Sequence, residues 1–236
     1  MKVSKYIMNF LGFNALFFLT YSIVTVLIEI GIIKYWAGST NSGGLAPSNT
    51  YGTALIWILV IGLIFFKSNF KFLLGNGVSR RRFFGVAVPA LALLAATWAL
   101  MATLIPVVFK TMGDYLLFHE YLYRKSSMAG GILWTFGALF FTVILGWLIS
   151  LLYYRSTLRL KVVISIFPLI LIPILLFLNK TSGGVIFQAL GKFFLTILGF
   201  TQSPANPYTG AFSLTLAALF ICGCNYLLMR KAEIKD

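Results

Sequence analysis

The sequence predicts an all-α polytopic membrane protein with six transmembrane helices, and three observations carry that prediction. First, 60% of the 236 residues are hydrophobic and only 10% are charged, with a mean hydropathy of +0.94. A soluble domain carries roughly a quarter charged residues. Second, the apolar residues gather in runs near the ~20 residues a helix needs to cross ~30 Å of hydrocarbon while satisfying its own backbone. Third, lysine and arginine fall unequally on alternate connections between those runs.

Taken in order, the predicted spans cover residues 10–33, 53–66, 84–109, 132–154, 162–178 and 211–229. The first follows the basic start "MKVSKYIMNF" without a small-residue cleavage signal, so it reads as a retained span rather than a removed leader. The turn-rich "AGSTNSGGLAPSNTYG" leads to the second. Pro89, Pro106, Pro168 and Pro173 lie inside spans and permit kinks. Residues 113–128, "GDYLLFHEYLYRKSSM", read as an amphipathic segment at the outer interface. Residues 183–200, "GGVIFQALGKFFLTILGF", are apolar but interrupted by Gly191 and Lys192; they read as a re-entrant outer hairpin of two short helices. A seventh span there would send "RKAEIKD" outward, against the charge rule.

There are 19 Lys and Arg against 5 Asp and Glu. On the six-span map Lys2, Lys5, Lys67, Lys71, Arg80, Arg81, Arg82, Arg155, Arg159, Lys161, Arg230, Lys231 and Lys235 share one side. Lys34, Lys110, Arg124, Lys125, Lys180 and Lys192 take the other. The richer side is expected to be cytoplasmic, with both termini inside a plasma membrane. The basic balance is thereby explained by membrane topology and lipid headgroups, and a nucleic-acid partner is not expected.

The densest charge lies in "KFLLGNGVSRRRFF", residues 71–84. Phe70, Leu73 and Leu74 fall on one helical face and Lys67 and Lys71 on another, so residues 68–82 read as a short cytoplasmic helix broken by "GNG". A projecting helix with an apolar face suits a groove on a partner, while the arginines alone are equally served by lipid phosphates.

This segment, the basic N-terminus before the first span, the six spans and the interrupted apolar stretch before the last resemble the permease subunit of bacterial type-2 ABC exporters, the ABC-2 family. The wording "NGVSRRRFF" is most similar to Gram-positive exporters of antimicrobial or amphipathic peptides and antibiotics. The resemblance implies a permease that works as a pair, as a homodimer or with a paralogue, and binds two cytoplasmic ABC ATPase subunits, which hold the ATP and Mg. It also implies an outer gate at 183–200 and an ATPase-coupling role for Phe70, Leu73, Leu74, Gly75, Asn76, Gly77, Ser79, Arg80 and Arg81.

The chain has no phosphate cradle of the G-x-x-x-x-G-K-[ST] type; "GVIFQALGKF" has the wrong spacing and Phe193 where a hydroxyl is needed. No catalytic, cofactor-binding or metal site is expected, because the spans lack carboxylate pairs and clustered ligands. Glu29 is the one acid inside a span and reads as snorkelling beside Lys34 or as a polar residue of an outer vestibule. His119 beside Glu120 reads as a solvated interface pair. Asn9 and Asn14 read as inter-helix or interfacial amides, and Cys222 and Cys224 as small packing residues. The phenylalanine pairs 17–18, 65–66, 83–84 and 140–141 read mostly as lipid-facing bulk. The alternatives to an exporter are an ATPase-independent carrier or substrate-capture subunit, and a non-transporting immunity or scaffold protein.

Overall fold

The computed structural model describes residues 3–37, 46–47, 50–109, 115–116, 122–123, 127–201 and 205–230. Its helices are α1 (Val3–Ala37), α2 (Thr50–Gly75), α3 (Arg80–Phe109), α4 (Met128–Arg155), α5 (Leu158–Thr181), α6 (Val185–Ile197) and α7 (Pro207–Arg230). Two two-residue strands, β1 (Ala46–Pro47) and β2 (Tyr115–Leu116), pair in parallel. Among the described residues six helices are long and apolar enough to cross a membrane, as expected of a multi-pass membrane protein. Each predicted span lies inside one of them. At 13 residues, about 20 Å, α6 is too short to cross.

Two local expectations are corrected. The second helix does not end near Phe66: it runs on to Gly75, because nothing between Lys67 and Leu74 breaks a helix and the buried positions Ile58, Ile61, Phe65, Phe66, Phe70 and Leu73 continue one stripe. The stretch 183–200 holds one uninterrupted helix rather than two. Gly191 costs a helix only ~1 kcal/mol, and the exposed Lys192 leaves the backbone intact. Of residues 113–128 only 115–116, 122–123 and 127–128 are described, so His119 and Glu120 lie outside the described residues.

Helix α4 is the hub, with α2, α3 and α7 packed around it and α1 laid on α3. Glycines make the close crossings. A methyl group at Gly146 would stand 2.6 Å from the Leu59 carbonyl oxygen of α2, and one at Gly62 would collide with the Val143 carbonyl of α4. A methyl group at Gly137 would lie 2.9 Å from the Ala211 carbonyl of α7. Such approach gives van der Waals contact between backbones, the main source of helix cohesion where lipid removes the hydrophobic drive. Asn225, fully buried, donates to the Ile144 carbonyl at 3.3 Å and pins α7 to α4.

Aromatic side chains turn inward more than the sequence suggested. Phe18, Phe65, Phe66, Phe83 and Phe140 are buried. Phe18 stacks on Trp98 at 3.9 Å and seats α1 on α3. Phe17 is the exposed member of its pair. Lipid-facing bulk describes α5 better, since none of the described residues in its membrane-length window is buried.

At the end opposite Arg80, Arg81 and Arg82, Trp134 meets Tyr51 at 5.3 Å and Tyr123 at 5.9 Å, and Tyr123 stacks on Phe200 at 4.6 Å. The Tyr123 hydroxyl donates to the Leu198 carbonyl at 2.6 Å, tying the loop before α4 to the end of α6. Ser127 caps α4, accepting from the Gly130 N–H at 3.1 Å. Its hydroxyl also bonds the Tyr208 hydroxyl at 2.9 Å.

Two outcomes are expected. Gly146→Val should lower unfolding stability in detergent by at least about 1–3 kcal/mol through overpacking, whereas Gly223→Ala, with open space around it, should not; thermal unfolding compares them. Burial pushes the Tyr123 phenol up to about 12, against ~10 when unfolded. The neutral phenol's contribution is therefore complete below pH 10 and is lost as pH rises through 12. Thermal unfolding across that window should show this loss in the wild type and its removal in Tyr123→Phe.

Candidate functional site

The basic elbow between α2 and α3 is built from local signals that its sequence spells out. The Val78 N–H donates to the Leu73 carbonyl at 3.1 Å and the Gly77 N–H to the Leu74 carbonyl at 3.0 Å. Gly77 has φ +79°. These are the two bonds and the left-handed residue of a Schellman cap, and glycine takes that φ without a Cβ penalty. The Asn76 side chain adds a bond to the Phe72 carbonyl at 2.6 Å. One residue after Val78, Ser79 caps α3: its hydroxyl accepts from the Arg82 N–H at 3.3 Å. Two helices are thus closed by four residues, 76–79, with both ends capped.

Beneath the elbow lies an aromatic cluster. Phe70 meets Phe66 at 4.7 Å, Phe83 at 5.7 Å and Tyr154 at 6.0 Å. Trp147 of α4 meets Phe65, Phe83 and Phe84 at 6.1, 6.2 and 5.6 Å. Phe84 in turn meets Tyr226 of α7 at 5.1 Å, and Phe10 of α1 meets Phe65 at 5.7 Å. Rings from α1, α2, α3, α4 and α7 therefore interlock directly below the turn.

The predicted coupling residues divide into two sets. Phe70 and Leu73, 0% and 1% exposed, spend their apolar face inside the chain's own core, and Leu74 is half-buried. The face read as waiting for a partner's groove is occupied from within. Gly75, Asn76, Gly77, Ser79 and Arg81 are exposed, and so are Lys67, Phe72 and Arg82. Arg80 is half-buried and turns toward the last helix, donating to the Arg230 carbonyl at 2.6 Å. Arg155, at the end of α4, does the same to the Leu228 carbonyl at 3.3 Å. Cations at a helix C-terminus complement its dipole and satisfy its orphan carbonyls.

The sequence reading missed this latch. Arg80 and Arg230 are 150 residues apart, and the only available signal was the shared basic side on the six-span map. It also missed Trp147, Tyr154 and Tyr226 as the floor of the elbow.

Other residues singled out lie apart from the elbow. Glu29 is half-buried on α1, while the side chain of Lys34 lies outside the described residues. Asn14 donates to the Phe10 carbonyl of its own helix at 2.7 Å rather than to another helix, and Asn9 is exposed. Cys222 is buried and Cys224 half-buried, both free thiols. Among the described residues no group of three His, Cys, Asp or Glu side chains is placed to hold a metal ion.

The elbow's two halves should separate by measurement: Phe70→Ala is expected to cost about 3–5 kcal/mol of stability, and Arg81→Ala no more than about 0.5 kcal/mol. Thermal unfolding of the purified protein reads both. In comparisons with known proteins, the chain matches no family model, no curated protein and no solved structure.

Proposed function

We propose that the chain is the transmembrane permease subunit of an ATP-driven exporter whose ATP is hydrolysed by separate cytoplasmic ABC ATPase subunits, and that it works as a pair of permease chains. The observation that carries this reading is the elbow. A turn capped at both ends, standing on rings from five helices, would pass a push on its exposed residues directly into the bundle. Phe72, Asn76, Arg81 and Arg82 form the grip. The basic end is cytoplasmic on charge grounds, since positive residues are retained on that side, and this puts the elbow where ATP is available. ATP binding on the partner biases one of two arrangements of the helices.

Cargo is amphipathic or hydrophobic, a peptide, antimicrobial or antibiotic. Glu29 is the one charged residue within the six predicted spans, which disfavours ions and sugars. The outer helix α6, with α5, borders the exit path. Glu29 then belongs to the outer vestibule.

A second reading, a non-transporting scaffold or immunity protein, draws support from one observation: Phe70 and Leu73 are consumed by the chain's own core, which leaves Phe72 as the elbow's exposed aromatic and a narrower apolar anchor than those that dominate tight interfaces.

The two readings are separated by isolating the tagged chain from its native membrane in mild detergent and measuring ATP turnover in the eluate. The exporter reading expects turnover that co-elutes in proportion to the chain and falls at least about tenfold when Arg81 and Arg82 are both changed to Glu, with the variant's melting temperature unchanged. A folded chain that moves cargo without any co-eluting ATPase, or turnover indifferent to the double charge reversal and to Phe72→Asp, overturns it.

A further inference from the structure

Helix α6 is anchored at both ends, yet none of its residues is buried. At its start the Asn179 side chain of α5 accepts from the Phe187 N–H at 2.9 Å, across a turn in which Gly183 and Gly184 have φ +64° and +90°. At its end the Phe200 N–H donates to the Leu195 carbonyl at 2.8 Å and the Asn206 N–H to the Gly199 carbonyl at 3.0 Å. The Tyr123 hydroxyl bonds the Leu198 carbonyl there, and a methyl group at Gly210 of α7 would stand 2.9 Å from that same carbonyl oxygen.

These anchors set the direction of the helix axis. Helices α5 and α7 have 24 residues each, about 36 Å. Their basic ends are level, because α5 begins at Leu158, just past Arg155, and Arg155 donates to the Leu228 carbonyl of α7. Their far ends are then level as well, and α6 bridges them along the membrane plane. Both helices exceed the ~30 Å of hydrocarbon, so the bridge lies at the headgroup boundary. The rings of Tyr51, Tyr123 and Trp134, gathered at its end, are of the kind that marks this depth.

The side chains of α6 divide to suit that position. Gln188, Lys192 and Thr196 recur at intervals of four on one stripe, and Phe187, Leu190 and Phe194 fall opposite. All six are exposed, the two phenylalanines at 41% and 57%. Lys180, exposed at the end of α5, adds a second cation at the same level.

We infer that α6 is an in-plane membrane-surface helix, with Phe187, Leu190 and Phe194 seated in the acyl chains of the leaflet opposite the basic elbow and Gln188, Lys192 and Thr196 at its phosphates. Helices of this kind bury their apolar face about 5–10 Å into the boundary between headgroups and acyl chains. The occupant is lipid rather than a second copy of the chain, because a bilayer offers phosphates and acyl chains in that order at the level of both anchors. Seated there, α6 holds the far end of α5 at a fixed depth.

The test uses the full chain in phospholipid vesicles and reads the tryptophan emission that Phe194→Trp, Leu190→Trp or Gln188→Trp adds to the wild type. The first two variants report on the apolar stripe independently, and each of the three should melt at the wild-type temperature. Phospholipids brominated near the top of their acyl chains should quench the emission added on the apolar stripe, and phospholipids brominated near the chain ends should quench it less. Iodide on both sides of the membrane should quench the emission added by Gln188→Trp and spare the other two. Stronger quenching from the chain ends means a helix that dips into the membrane. Loss of all bromolipid quenching on the apolar stripe means a face covered by protein, and iodide quenching of all three means a helix standing in water. Any of these three results overturns the inference.

Discussion

The packing of rings around Phe83 and Trp147 is the interaction on which the basic end of this molecule depends. A phenylalanine moved from lipid into a helix bundle gains little from the hydrophobic effect, because the tails are as apolar as the side chain. What remains is contact geometry. Edge-to-face pairs contribute about 0.5–1.5 kcal/mol each beyond area burial, and Trp147 takes part in several at once, with Phe65 and Phe83 set nearly edge-on. The same rings hold Phe70 in place, so α2 continues as a helix beyond the point where its charges begin. With Phe70 fixed, Leu73 and Val78 follow into the Schellman cap, and the elbow's shape is determined by the core below it.

Cohesion elsewhere takes a different form. At mid-height the helices meet through glycine, with Gly62 against Gly146 and Gly137 against Ala211, where backbone comes within contact distance of backbone. Rings close the two ends and glycines close the middle. Helix α5 has neither. It joins α4 through Ser156 and Thr157, and the Tyr153 and Ser165 hydroxyls bond across that joint. Its described residues are otherwise mostly exposed, and α6 follows it through the turn at Gly183 and Gly184. Segments with few packed contacts open at low free energy. The molecule therefore divides into a rigid body of α1 to α4 with α7 and an arm of α5 and α6, and any change of shape is cheapest between them.

Much of this organisation is legible in the chain. The six crossing helices follow from run length because hydrocarbon thickness fixes how many apolar residues are needed. The string "GNGVS" gives the elbow's stop and restart because a left-handed glycine and an N-cap serine act within four residues. Less legible was where α2 ends. Lys67 and Lys71 suggested a boundary, yet the stripe from Ile58 to Leu73 keeps its interval straight through them, and that unbroken interval was the better signal. The paired phenylalanines could not be sorted into inward and lipid-facing members, since both environments select the same side chain. The Arg80 latch was illegible because its acceptor is a backbone carbonyl, which every residue carries.

The burial of Phe70 and Leu73 constrains what any partner at the elbow must look like. A lever transmits force only if it is stiffer than what it moves, and the capped turn on its aromatic floor meets that requirement. Stiffness has been gained by drawing the apolar face inward, and the exposed remainder, Phe72, Asn76, Arg81 and Arg82, is small and mostly polar. A surface of that kind attracts by charge more than by desolvated area, so its complement has to be acidic, its association fast and sensitive to salt, and its hold reversible. Of the two proposed readings, an ATPase held by charge fits such a contact better than a scaffold's partner, whose interface would be expected to bury a broad apolar patch.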